Sequence, residues 1–201
     1  MVGFLRTPRL LLRPLCAGDR AEFIRVHTVS RALFTPWLPV RPADETLDDF
    51  FTRQLNQTFD GLRDGTQYRF VGLLDDARIA GFFHLFQIVR GAAQYATASW
   101  SVNTEVGRQG LCTEGVTALL DFAFAPLPVG LELHRVQANI IPTNTPSIRV
   151  AEKAGFRREG LARRYLKIAG EWQDHFMYAK LADEHIFRFL QPAQHRSTPD
   201  T

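Results

Sequence analysis

The feature that most restricts how this chain can fold is an abrupt change within residues 103–125, NTEVGRQGLCTEGVTALLDFAFA, where a polar, glycine-bearing loop becomes an apolar helical repeat. Leu111, Gly115, Val116, Leu119, Leu120 and Ala123 recur at three- and four-residue spacing, which predicts a helix with a buried side. Just before it, Gly107 and Gly110 open backbone angles closed to other residues, so that successive N–H groups can converge on one point. The first N–H groups of a helix lack intrahelical partners and sit at its positive end, so such a junction suits phosphate. Two familiar phosphate motifs do not fit: Gly110 is followed by Leu111, Cys112 and Thr113 with no Lys, and the three-glycine dinucleotide spacing is absent. The residues alone leave two readings open, a diphosphate cradle that works without metal and an ordinary loop entering a buried helix.

The flanks place this junction at a strand end. Residues 67–74 and 78–89 read as a hairpin turning at Asp75 and Asp76, and residues 95–102 add a third antiparallel strand that runs straight into the loop. Beyond the helix, residues 134–140 read as a strand, so strand, helix and strand form a right-handed parallel crossover. In residues 144–156, NTPSIRVAEKAGF, Asn144 or Thr145 caps a helix, Pro146 fits its first turn and Gly155 stops it. Residues 158–168 and 171–181 make a long hairpin around Gly170. Earlier in the chain come a strand at 9–15, a helix from Asp19 to about Val29, and a proline-broken aromatic loop at 30–42. A second helix follows from about Asp44 to Arg63, with Leu47, Phe50, Phe51, Leu55 and Phe59 on its apolar side. The fold class is α/β, a single domain over residues 1–190 around a mixed sheet, with a disordered tail expected over 191–201.

Composition narrows the function. A length of 201 residues suits one well-buried domain. The formal net charge of +3 is too small an excess for direct nucleic-acid binding, and the cations are mostly arginine, the lysines being Lys153, Lys167 and Lys180. Cys16 and Cys112 fit neither a disulfide framework nor a metal-ligand spacing, so a cytoplasmic location and no metal are expected. No stretch has the length and apolarity of a signal peptide or a membrane span.

Two stretches carry a resemblance to a known family. Residues 108–124, RQGLCTEGVTALLDFAF, resemble the acyl-CoA loop and helix of the GCN5-related N-acetyltransferase (GNAT) superfamily, and residues 144–156 resemble the Asn-x-x-Ser-x-x-x-x-Glu-Lys-x-Gly-Phe motif of its ribosomal-protein (RimJ/RimL) branch. Residues 159–179 and the run IVRGAAQYATASWSV are similar to the same branch. In the loop, Arg108 stands where a glycine is usual, and Gly107 lies one position earlier.

The resemblance implies a sheet splayed between strands 95–102 and 134–140, and transfer of an acetyl group from acetyl-CoA to a primary amine by direct attack. The coenzyme's pyrophosphate would then lie over Gly107, Arg108, Gln109, Gly110, Leu111, Cys112 and Thr113. Backbone near Trp100 and Val102 would hold the pantetheine arm, and Asn144 would orient the thioester. Ser147, then Tyr165, are the candidates to protonate the departing thiolate, and His84 is the candidate base. Cys112 is expected to be a small buried residue, and neighbouring Asp174 and His175 to face opposite ways along a strand. The implied acceptor is a protein N-terminal amine of the ribosomal alanine or serine type. A small amine or antibiotic, a succinyl donor, and a silent acyl-CoA sensor are the alternatives, and both monomer and homodimer remain compatible.

Overall fold

The structure, a computed structural model, describes residues 4–189, so the tail expected to be disordered lies outside the described residues. Among these residues, eight strands form one sheet: β1 (Leu5–Arg6), β2 (Leu11–Pro14), β3 (Tyr68–Leu73), β4 (Ile79–Val89), β5 (Tyr95–Val102), β6 (Arg135–Ile140), β7 (Arg157–Ile168) and β8 (Glu171–Leu181). Their spatial order is β1-β2-β3-β4-β5-β6-β8-β7, antiparallel throughout except for the parallel pair β5 and β6. The meander, the crossover and the final hairpin are where the sequence puts them.

Helices cover both sides of the sheet. On one side, α4 (Leu111–Phe124) and α5 (Thr145–Lys153) close a core in which Phe83, Leu85, Ala96 and Ala98 meet Val116, Leu119 and Leu120. The helix can press this closely on the sheet because residue 115 has no side chain: a Cβ there would come within 2.2 Å of Phe83 Cζ. On the other side, α1 (Arg20–Val29) and α3 (Leu47–Asp64) enclose Phe23, Val26, Phe51, Val71 and Phe82. Helix α3 begins at a capping box in which Thr46 Oγ1 accepts from Asp49 N and Asp49 Oδ2 accepts from Thr46 N.

The amino-terminal third differs in detail from the sequence reading. The first strand is two short ones, β1 and β2, and part of the aromatic loop is helical, as α2 (Arg31–Phe34) and a 3-10 turn (Thr35–Trp37). Asp19 does not cap α1 with its side chain; its carboxylate is held by the Arg13 guanidinium and Cys16 N. The inward stripe of α3 is Phe51, Gln54, Thr58 and Gly61, while Phe59 is 56% exposed. Apolar periodicity misplaces this stripe because two of its members are polar.

The crossover stops pairing partway. Strands β5 and β6 match at Tyr95 with Arg135, Ala96 with Val136 and Thr97 with Gln137, and there the register ends. Beyond that point Ala98–Val102 stay paired to β4, and Ala138–Ile140 to β8. The sheet therefore opens into a gap whose two edges, from Ala98 and from Ala138 onward, have no strand partner across it. Main-chain donors and acceptors on such edges are available to a ligand.

Candidate active site

The gap carries polar groups in both directions. Buried polar side-chain atoms are almost always hydrogen-bonded, so orphans mark where a ligand or water belongs. Among the described residues two such orphans stand, Trp100 Nε1 and Asn139 Oδ1. Trp100 is on β5 and points to the α4 side, where its ring centroid lies 6.0 Å from that of Phe156. Asn139 is on β6, two residues past the last matched pair, and alternation from Val136, Ala138 and Ile140 of the α4-side core turns it to the opposite side of the sheet. One unsatisfied donor and one unsatisfied acceptor thus flank the gap on its two faces.

The loop between β5 and α4 makes two left-handed turns, at Arg108 and Gly110. Gly110 has φ 81° and Arg108 has φ 63°, both left-handed, whereas Gly107 has φ −62°. The left-handed turn falls at 108 although an arginine occupies it, and Gly107 does not supply it. A residue with a Cβ held there costs about 1–2 kcal/mol. Gln109 is anchored through its carbonyl, which accepts from Arg9 Nη1 at 2.9 Å. The same arginine donates from Nε to Glu114 Oε2 at 2.7 Å, and Thr7 Oγ1 donates to Glu114 Oε1 at 2.6 Å. The carboxylate in the first turn of α4 is thereby neutralised and tied to the chain's start. Beside the loop lies a cavity of about 320 Å³ lined by Arg9, Arg78, Gln109 and Leu111.

The other residues singled out from sequence fall around this gap unequally. Leu111 is buried, Thr113 lies in the first turn of α4, and Val102 packs partly on the α4-side core. Burial pushes the Cys112 thiol up to about 12, so it stays protonated and unreactive. Asn144 is the N-cap of α5, its Oδ1 accepting from Ser147 N at 3.2 Å; only its amide nitrogen is left to face a ligand. Ser147 is half-buried in the first turn of that helix. Tyr165, on β7, reaches the gap: its hydroxyl accepts from Asn139 Nδ2 at 3.5 Å, and its ring lies edge-on to His175 at 5.7 Å. Asp174 instead accepts from Arg164 N, so Asp174 and His175 do face apart.

His84 lies on the side of the sheet away from α4, in register with Arg69 and Ser99. Burial, then the charges of Arg69 and His27, lower its pKa to about 3, so the imidazole stays neutral and holds a proton too weakly to be an effective base near neutral pH. The residue that sequence reasoning passed over is Asn139. Its signal was present in HRVQANI, where Gln137 and Asn139 alternate with apolar residues.

A mixed sheet split at a parallel pair, with a left-handed loop at the mouth of the split, frames the candidate site, and the comparisons give the class of protein. The family model described as the acetyltransferase (GNAT) domain matches residues 9–157, and the chain belongs to that family as a GNAT-type N-acetyltransferase. It is 33% identical to the probable N-acetyltransferase YjcK of Bacillus subtilis, over 88% of this chain and 96% of that protein. It is 28% identical to the ribosomal protein uS5-alanine N-acetyltransferase of Escherichia coli, over 87% of this chain and 89% of that one. Among solved structures, Mycobacterium smegmatis RimJ in complex with CoA-disulfide superposes with a TM-score of 0.80 at 29% identity, covering 91% of this chain and 88% of that chain.

Proposed function

We propose that the protein moves an acetyl group from acetyl-CoA to the N-terminal α-amine of a protein, of the ribosomal alanine or serine type, in the cytoplasm. The observation that carries this reading is the register break after Thr97 and Gln137, flanked by the orphaned Trp100 Nε1 on one face and Asn139 Oδ1 on the other. A reaction between two molecules entering from opposite sides of a sheet needs such an opening. The similarity to a uS5-alanine N-acetyltransferase and to RimJ supports the acceptor class.

Acetyl-CoA supplies an activated thioester: the C–N bond forms from the amine's lone pair, the C–S bond breaks, the nitrogen sheds one proton to solvent and the departing thiolate gains one from a hydroxyl that solvent reprotonates. The chain's own residues bind and orient. Trp100 Nε1 donates on the α4 face, and the loop N–H groups from Arg108 to Thr113 hold phosphate oxygens. The free edge of β5 takes the amide groups of the pantetheine arm. Asn139 Oδ1 accepts an N–H of the incoming amine and keeps its lone pair directed through the gap. Ser147 and Tyr165 are the hydroxyls that give the thiolate its proton. A free α-amine has an ordinary pKa near 8, so an appreciable fraction is already neutral and the weak basicity of His84 is no obstacle.

Mass spectrometry of alanine- and serine-starting peptides, of small amines and of succinyl-CoA in place of acetyl-CoA tests the reading. Acetylation at the peptide N-terminus is expected. Rapid turnover of small amines with inert peptides would sink the acceptor assignment.

A further inference from the structure

On the side of the sheet away from α4, one row of side chains crosses three strands. Arg69 on β3 pairs with His84 on β4, and His84 pairs with Ser99 on β5. Residues in direct register share a face, so all three point the same way, and Asn139 stands across the gap from Ser99 on that face. Two strand spacings put Arg69 about 10 Å from β5.

Of the half-buried arginines, Arg13, Arg25 and Arg135 each meet a carboxylate, whereas Arg69, like Arg41, forms no ion pair among the described residues. Its Nη1 donates to Gln54 Oε1 at 2.7 Å and its Nε to Gln67 Oε1 at 2.9 Å, two neutral amides, so the guanidinium is positioned and not neutralised. Gln54 is one of the two polar residues on the inward stripe of α3, where an apolar side chain would be ordinary. Burial and the nearby charge of Arg53 both disfavour the cation at Arg69. It lines an open depression of about 460 Å³ together with Gln67, Phe86 and Gln87. A held, half-buried cation with unused donors beside a depression is a receptor for an anion, and guanidinium geometry suits a carboxylate.

We propose that Arg69 is a specificity site of the acceptor: it binds a carboxylate on the acceptor about 10 Å from the β5 edge of the gap in which the amine reacts, with His84 and Ser99 forming the neutral polar row between them. The proposal rests on the amine-acetylating reading above and narrows its acceptor to amines carrying an acidic group. Roughly three extended residues span about 10 Å, so in a peptide the acid belongs at the third position. A polycationic amine is disfavoured by the same charge.

The test is acetylation of the peptide amides Ala-Ala-Xaa-Ala with Xaa as Asp, Glu, Asn or Lys, by wild type, Arg69→Gln and Arg69→Lys. Wild type should favour the better of Asp and Glu over Asn by roughly tenfold to a hundredfold in kcat/KM, as expected for a charge-assisted hydrogen-bonded pair, with Lys poorest. Arg69→Gln should bring the acid-to-Asn ratio close to one, and Arg69→Lys should leave it intermediate. Taking the ratio within each variant cancels any loss of folded protein. A wild-type ratio near one, or a ratio that survives Arg69→Gln, overturns the anion site while leaving N-terminal transfer standing. No turnover of any peptide by a protein that still gives a thermal shift with acetyl-CoA overturns both.

Discussion

The two faces of the gap are built on opposite plans. On the α4 face, the proposed coenzyme groups come mainly from one continuous stretch, 107–113, and work through main-chain N–H groups whose direction is set by the left-handed turns at Arg108 and Gly110. On the other face, Arg69, His84, Ser99, Asn139 and Tyr165 come from five strands, each giving one side chain; sheet register brings the first four into line, and Tyr165 reaches Asn139 from the irregular stretch of β7. The difference teaches where change is tolerated. A backbone site can exchange side chains provided the φ angles survive, and Arg108 keeps a left-handed φ without being glycine, whereas a row of side chains can be retuned one residue at a time without disturbing the loop.

The comparison breaks first if the α4 face tolerates bulk. Gly115→Val drives a side chain into Phe83 and should lower unfolding stability by about 3 kcal/mol, read from denaturant midpoints. Next in size, Gly110→Val forces a β-branched residue into a left-handed conformation and should weaken acetyl-CoA binding roughly tenfold by calorimetry, with less effect on acceptor KM. Asn139→Ala should do the reverse, costing about fivefold in kcat/KM for the amine while coenzyme affinity holds. Equal losses of coenzyme and acceptor binding in these two variants would erase the distinction between the faces. Arg108→Gly relieves a strained turn and should raise stability by no more than about 1 kcal/mol in the same unfolding assay.

A further expected effect is in pH dependence and belongs to the face away from α4. Burial, followed by the charge of Arg41, lowers His27 to about 4, and burial is also the main cause of the value of about 3 at His84; both lie below the ordinary 6.5. Below pH 6.5 the unfolded chain takes up protons that the folded chain refuses. Their contribution is therefore fully present above pH 6.5 and declines as pH falls toward 4 and then 3. His84→Gln should flatten that decline in urea titrations at pH 4 to 7.

The contrast between the faces also explains what the sequence could reveal. The loop and α4 are legible because their signal is local: glycines, then an apolar repeat. The strand order follows from tight turns and one obligatory crossover. The point at which β5 and β6 separate has no local signature, because Thr97 and Gln137 are far apart in the chain and ordinary in composition. Gln54 and Thr58 are misread for a related reason: a scale that scores only apolarity turns α3 toward Phe59, and the partner that makes Gln54 a sensible inward residue, Arg69, belongs to another element. The positive φ at Arg108 contradicts the residue's own preference and is visible only in the backbone.

The clasp of Thr7, Arg9 and Glu114 makes two segments a hundred residues apart one cooperative opening unit. Amides of the β5–α4 loop should then exchange with deuterium no faster than those around Thr7 and Leu10. Deleting the first nine residues should accelerate exchange at Gln109 and Gly110 while leaving the β7–β8 hairpin unchanged. The chain's beginning thus serves as a distant hinge pin for the loop, felt at residues that no inspection of the loop itself would connect to it.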